Sequence, residues 1–184
     1  KTYNEKENAK GIRQAVTSPD GKMLVFHAIG YLWKKELPNG KPVRLTKGTD
    51  FEYEPSFSAD GKKIVYSSWN DENTGAINII NIDGSGNKKI SKEKGIFQTP
   101  AFSPDGSKVV FQRAPGNSDQ GFAFCEEPGI YWIPADGGKE TLIIDEGIAP
   151  IFSTDGKRIY YQSGGYFFGA LTKELLSVDL NGND

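Results

Sequence analysis

Cysteine, histidine and methionine each occur once in this chain of 184 residues. The lone Cys125 cannot close an internal disulfide, and with the lone His27 it falls short of the ligands a zinc site needs. Long apolar runs are also missing. No stretch approaches the roughly 18 to 20 consecutive apolar residues of a membrane helix, and residues 1–10 (KTYNEKENAK) lack the apolar centre of a signal peptide. The segment therefore reads as mature or as internal to a longer chain. Charge of one sign is scarce as well: 22 basic residues stand against 24 acidic ones, a formal net charge of -2. No block of like charge is long enough to track a phosphate backbone. These absences set the expectations of no metal, no cofactor, no nucleic acid and no membrane insertion.

What is abundant is turn chemistry: 22 glycines and 10 prolines, with 12% aromatic residues, fit many short strands joined tightly. The turns recur. AVTSPDGKMLVFHA (15–28), PSFSADGKKIVYSS (55–68), PAFSPDGSKVVFQR (100–113) and PIFSTDGKRIYYQS (150–163) align directly, with turn residues Asp20 and Gly21, Asp60 and Gly61, Asp105 and Gly106, Asp155 and Gly156. Spacings of about 40 to 50 residues are those of a four-stranded propeller blade. In the turn, Asp bonds nearby backbone N–H groups and Gly accepts positive φ, so the aspartates are read as structural rather than as a row of acidic sites.

Alternating apolar residues such as Lys63-Ile64-Val65-Tyr66-Ser67 mark second strands. Third strands follow at Tyr31, Ile77, Ile130 and Leu175, and fourth strands at 42–46, 88–91 and 140–144. The expected blades are about 11–46, 53–91, 98–144 and 148–184, the last without its outer strand. The fold class is all-β: four-stranded antiparallel propeller blades, about four of them, and by expectation a fragment. An open array leaves strand edges free for self-association.

The pattern P-x-F-S-[PAT]-D-G-[KS]-[KR]-[IV]-[VY]-[FY], with its later Gly turn and Leu-Thr ending, resembles the WD40-like repeat of TolB-type propellers over nearly the whole chain. The first copy departs from it, with Ala15 for Pro and Thr17 for Phe. The resemblance implies a six-bladed ring and a periplasmic or secreted setting. It also implies one of three roles: an envelope-complex propeller, blades preceding a metal-dependent amidohydrolase barrel, or the propeller of a prolyl-oligopeptidase-like peptidase. Residues 21–26, 30–33 and 44–46 look most like the amidohydrolase-associated version.

Catalytic motifs do not accompany the repeat. His27 ends a second strand, where ordinary packing accounts for it. There is no Gly-x-Ser-x-Gly elbow, and the Asp71–Gly75 and Asp179–Asp184 clusters lack a calcium loop's distal glutamate. In an up-and-down blade the first and third connections lie at one end, here short turns, and the second connections lie at the other. The second connections are expected at about 68–75, 113–128 and 163–173, and long loops are disproportionately functional. The candidate contact residues are therefore Trp69, Phe122, Phe124, Tyr166, Phe167 and Phe168, facing a protein partner or an adjoining domain. The leading expectation is a non-catalytic binding module of a larger bacterial protein. The alternative is a propeller that gates substrate for a hydrolase whose catalytic residues lie elsewhere.

Overall fold

The computed structural model describes residues 11–116, 127–164, 166–167 and 170–184. Three four-stranded antiparallel sheets follow one another in chain order. The first holds β1 (Arg13–Thr17), β2 (Met23–Ala28), β3 (Tyr31–Glu36) and β4 (Val43–Arg44). The second holds β5 (Phe51–Phe57), β6 (Lys63–Asn70), β7 (Thr74–Asn81) and β8 (Lys88–Lys89). The third holds β9 (Phe97–Phe102), β10 (Lys108–Arg113), β11 (Gly129–Pro134) and β12 (Thr141–Ile144). The fourth sheet orders β13 (Ile148–Phe152), β14 (Arg158–Ser163) and β17 (Glu174–Asp179). Between its last two strands lies a small hairpin of β15 (Tyr166–Phe167) and β16 (Ala170–Leu171). The first strands of successive sheets pack side by side, so they form the inner wall of a propeller.

Each β1–β2-type turn is built by the same network. The serine hydroxyl donates to its aspartate at 2.6 Å in all four copies. It also accepts the backbone N–H five residues on, from Met23, Lys63, Lys108 and Arg158. The aspartate accepts the N–H two residues on, and the motif glycine takes φ near +70°. These bonds hold the carboxyls of Asp20, Asp60, Asp105 and Asp155 below the usual carboxylate range, Asp105 to about 2.

The core lies between sheets rather than inside one. In the repeat, one position of the second strand (Val25, Val65, Val110) meets two positions of the next sheet: Ile64 and Tyr66, Val109 and Phe111, Ile159 and Tyr161. All three valines are fully buried. Both faces of a middle sheet must then be apolar, which is why β6 reads Ile-Val-Tyr instead of alternating with polar residues. Each such burial contributes about 1.5–3 kcal/mol.

Two connections differ from expectation. The second connection of the second sheet is not a loop over 68–75, because β6 runs to Asn70 and β7 begins at Thr74. Asn70 Oδ1 accepts the N–H groups of Glu72 and Asn73, closing a turn of three residues. The 163–173 connection contains the β15–β16 hairpin. Among the described residues no helix is long and apolar enough to cross a membrane.

Candidate functional site

The end of the sheets opposite the Ser-x-Asp-Gly turns gathers the second connections and the links between sheets. Their backbones bond directly there: Glu52 N–H donates to Gly30 O, and Gly75 N–H to Gly95 O, both at 2.9 Å. At this end the first two sheets expose Ile12, Ile29 and Phe51, at 52%, 54% and 48%. Phe51 sits directly opposite Trp69 in the β5–β6 ladder, and paired residues share a face. Its ring meets His27 edge-on at a centroid distance of 5.1 Å and Tyr53 at 5.7 Å. Trp69 is half-buried, and its indole N–H donates to Asp71. The result is an aromatic and aliphatic patch spanning two sheets, with Asp50, Asp71 and Glu72 in the adjoining connections.

His27 belongs to this patch as a packing residue. Burial, with Arg13 adding, keeps its imidazole below the ordinary value, so it is neutral at pH 7. Its Nε2 is sealed from solvent and makes no hydrogen bond.

Of the sequence-expected contact residues, Trp69 lies on β6 rather than in a loop. The backbone of Tyr166 and Phe167 forms β15, in ladder with Leu171 and Ala170. Phe122, Phe124, Cys125 and Phe168 lie outside the described residues. Phe51, Ile29 and Ile12 were missed. The available signal was Phe51 in Asp50-Phe51-Glu52-Tyr53, where the repeat's sheet-to-sheet link should be polar.

Two buried acids, also missed, fasten this end together. Glu52 Oε2 accepts Leu32 N–H at 2.9 Å and the Thr46 hydroxyl at 2.6 Å, tying the second sheet to the first. Burial pushes its carboxyl up, against the pull of Thr46. Glu140 accepts Arg113 at 2.6 Å, with both side chains at least 96% buried, and takes the N–H groups of Lys92 and Glu93. Arg113 in turn lies over the Tyr131 ring, 4.4 Å from its centroid. These groups line a cleft of about 790 Å³ that also takes in Glu127 and Lys139. Arg113 and Glu140 compensate each other, and with the Lys92 and Glu93 N–H groups they work as a clamp between the second and third sheets.

The turn-bearing end is different in kind. Shallow clefts of about 550 and 530 Å³ separate successive sheets there, lined by lysines, turn aspartates and glycines. Among the described residues, no group of three or more His, Cys, Asp or Glu side chains is placed to hold a metal ion.

This geometry has close counterparts. The TolB beta propeller domain matches residues 38–166. The Tol-Pal system protein TolB of Francisella tularensis subsp. mediasiatica is 39% identical over 66 residues, 36% of this chain and 15% of that protein. An uncharacterised protein of Agrobacterium fabrum is 32% identical over 100 residues, 51% of this chain and 33% of that one. Among solved structures, TolB from Acinetobacter baumannii superposes with a TM-score of 0.70 at 20% identity, covering 95% of this chain and 42% of that chain. An oligogalacturonate lyase in complex with manganese gives 0.71 at 18%, covering 94% and 52%. At such identities the structural likeness speaks for the fold alone. The chain thus spans well under half the length of the TolB proteins it matches. The repeated turn network, the sheet order and a family match over most of the sequence agree: the chain belongs to the TolB β-propeller domain family.

Proposed function

We propose that this chain is a binding module that holds a protein partner or an adjoining domain at its loop-bearing end, in a periplasmic setting, without chemistry of its own. The observation that supports this reading is the exposure of Ile12, Ile29 and Phe51, each about half exposed, at the end where Phe51 pairs with Trp69. Aromatic anchors ringed by polar groups are the usual centre of a protein interface. The relatives named as Tol-Pal system proteins suggest where to look for the partner.

The test is a binding titration with the Tol-Pal components of the source bacterium, comparing the parent protein with Phe51→Ser and Trp69→Ser. Loss of about 2 kcal/mol or more at either position, the scale of an interface anchor, supports the reading. Full affinity in both variants, with loss on altering the turn-bearing end, overturns it.

The rival role, a propeller that orients substrate for a hydrolase, would still place catalysis outside these residues. The isolated chain is expected to show no hydrolase activity with or without zinc. Reproducible turnover that disappears in His27→Ala would contradict both roles.

A further inference from the structure

The chain has one histidine, and its surroundings suit a neutral ring. His27 lies on β2 directly opposite Arg13 of β1 and Leu32 of β3, with the Phe51 ring of the second sheet edge-on at 5.1 Å. Its Nε2 is sealed from solvent and makes no hydrogen bond. An imidazolium carries a proton on both ring nitrogens, so charging the ring puts an N–H on this sealed atom. A buried charged donor without an acceptor is costly, and attraction to the Phe51 ring supplies no acceptor.

The charged groups on the neighbouring elements do not relieve that cost. Arg13 on β1 repels a second positive charge. Lys34 on β3 reaches away to Ile82 O, and Arg44 on β4 stacks over the Tyr31 ring. From the second sheet, Glu52 is committed to Leu32 N–H and the Thr46 hydroxyl, Glu54 to Thr99 N–H and Asp50 to the Asn70 amide. Burial, with Arg13 adding, accordingly holds the imidazole below its ordinary value.

The ring that covers His27 belongs to an exposed joint. Phe51 also lies over Gly30, where a Cβ would stand 3.7 Å from its Cδ2. Between the two, Ile29 holds φ at 52°, a left-handed conformation strained for a β-branched residue. Phe51 and Ile29 are about half exposed, whereas Val25 and Leu32 behind them are fully buried. Water therefore reaches Nε2 at least cost by displacing the joint rather than the core.

We infer that His27 is an acid-sensitive latch beneath the proposed contact patch: taking up a proton displaces Phe51 and the Ile29–Gly30 link and so disrupts the patch. The consequence for binding rests on reading this end as the contact surface; the latch itself does not. The closed arrangement is fully favoured above about 6.5, the ordinary imidazole value, and loses ground as pH falls below it, because the open form takes the proton more readily.

The test follows the ring signals of the single histidine by NMR in the whole chain, from about pH 8 to about pH 5, together with the Phe51 ring and the Gly30 and Glu52 amides. The expected midpoint lies below about 6.5, with the Phe51 and link signals moving at the same midpoint. His27→Phe keeps an aromatic ring without a titrating group and should abolish that movement, while any titration of Glu52 or Glu54 persists in the variant and is thereby separated. If His27→Phe loses its fold, Phe51→Ala uncovers Nε2 and should raise the histidine midpoint toward about 6.5. A parent midpoint at or above that value, Phe51 and link signals unmoved at it, the same movement in His27→Phe, or a midpoint indifferent to Phe51→Ala would each overturn the latch. Failure of the contact reading shows instead as full partner affinity in Phe51→Ser, a measurement independent of these titrations.

Discussion

A serine hydroxyl that donates to one side chain and accepts from one backbone N–H is the smallest unit repeated through this protein. Its chemistry makes the aspartate beside it acidic. Asp105, bonded to Ser103 and to both the N–H and hydroxyl of Ser107, sits at about 2, against about 3.9 in an unfolded chain. A depressed folded-state value means the carboxylate favours folding above the unfolded value, and that contribution is lost as pH falls from about 4 toward 2. NMR titration should give Asp105 a midpoint near 2, rising when Ser103→Ala removes the largest cause. An unchanged midpoint would assign the effect elsewhere. The turn itself was legible in four copies of Ser-x-Asp-Gly; the serine's part was not, because it depends on an N–H five residues on that only the closed hairpin brings near.

The buried Glu140–Arg113 pair was not legible either. The two residues are 27 positions apart, and Glu140 also serves two backbone N–H groups of the preceding sheet's link. Removing one partner of a buried pair strands the other. Glu140→Ala is expected to cost about 3–5 kcal/mol in denaturant unfolding, while replacing both residues with leucine should cost much less. Equal losses would show that packing, not charge, dominates there.

At the scale of strands and sheets, the alternation after each turn located the second strands, and turn composition located the third connections. Two features escaped. Trp69 was assigned to a loop because Ser67-Ser68 and Asn70-Asp71 look like turn chemistry, yet pairing with both β5 and β7 carries the strand through Asn70. The inner-strand bulges at Gln14, Glu54, Thr99 and Ala149 were invisible because Gln, Glu, Thr and Ala share no preference for positive φ; each sits at a register shift of its inner strand. The interlocking columns explain which core positions matter most. Phe111 is fully buried between Phe97, at 5.5 Å, and Tyr131, at 5.9 Å. Phe111→Ala should therefore cost about 3–5 kcal/mol in unfolding free energy. A loss below about 1 kcal/mol would mean that the second and third sheets do not depend on this column.

On the scale of the whole molecule, the same columns expose a contrast. Tyr160 occupies the position of Val25, Val65 and Val110, yet it is 38% exposed where they are sealed. Ile151, beside it in the ladder, and Leu175, on the same face, are also exposed. In isolation this outer face of the fourth sheet is expected to drive self-association. Light scattering should show mass rising with concentration, and Tyr160→Lys should suppress the rise; a strictly monomeric chain would contradict it. The loop-bearing end poses the larger question. Family and fold were legible from the turns, but the proposed contact patch was only partly so, since the Glu52–Gly30 backbone bond that draws the segments of Phe51 and Ile29 together is recorded by no local pattern.

The most direct test is hydrogen exchange of the parent protein with and without the protein partner proposed above. New protection is expected in the connections around Gly30, Phe51 and Asp71, with the Ser-x-Asp-Gly turns unchanged. Protection confined to those turns, with the loop-bearing end exchanging as before, would contradict it.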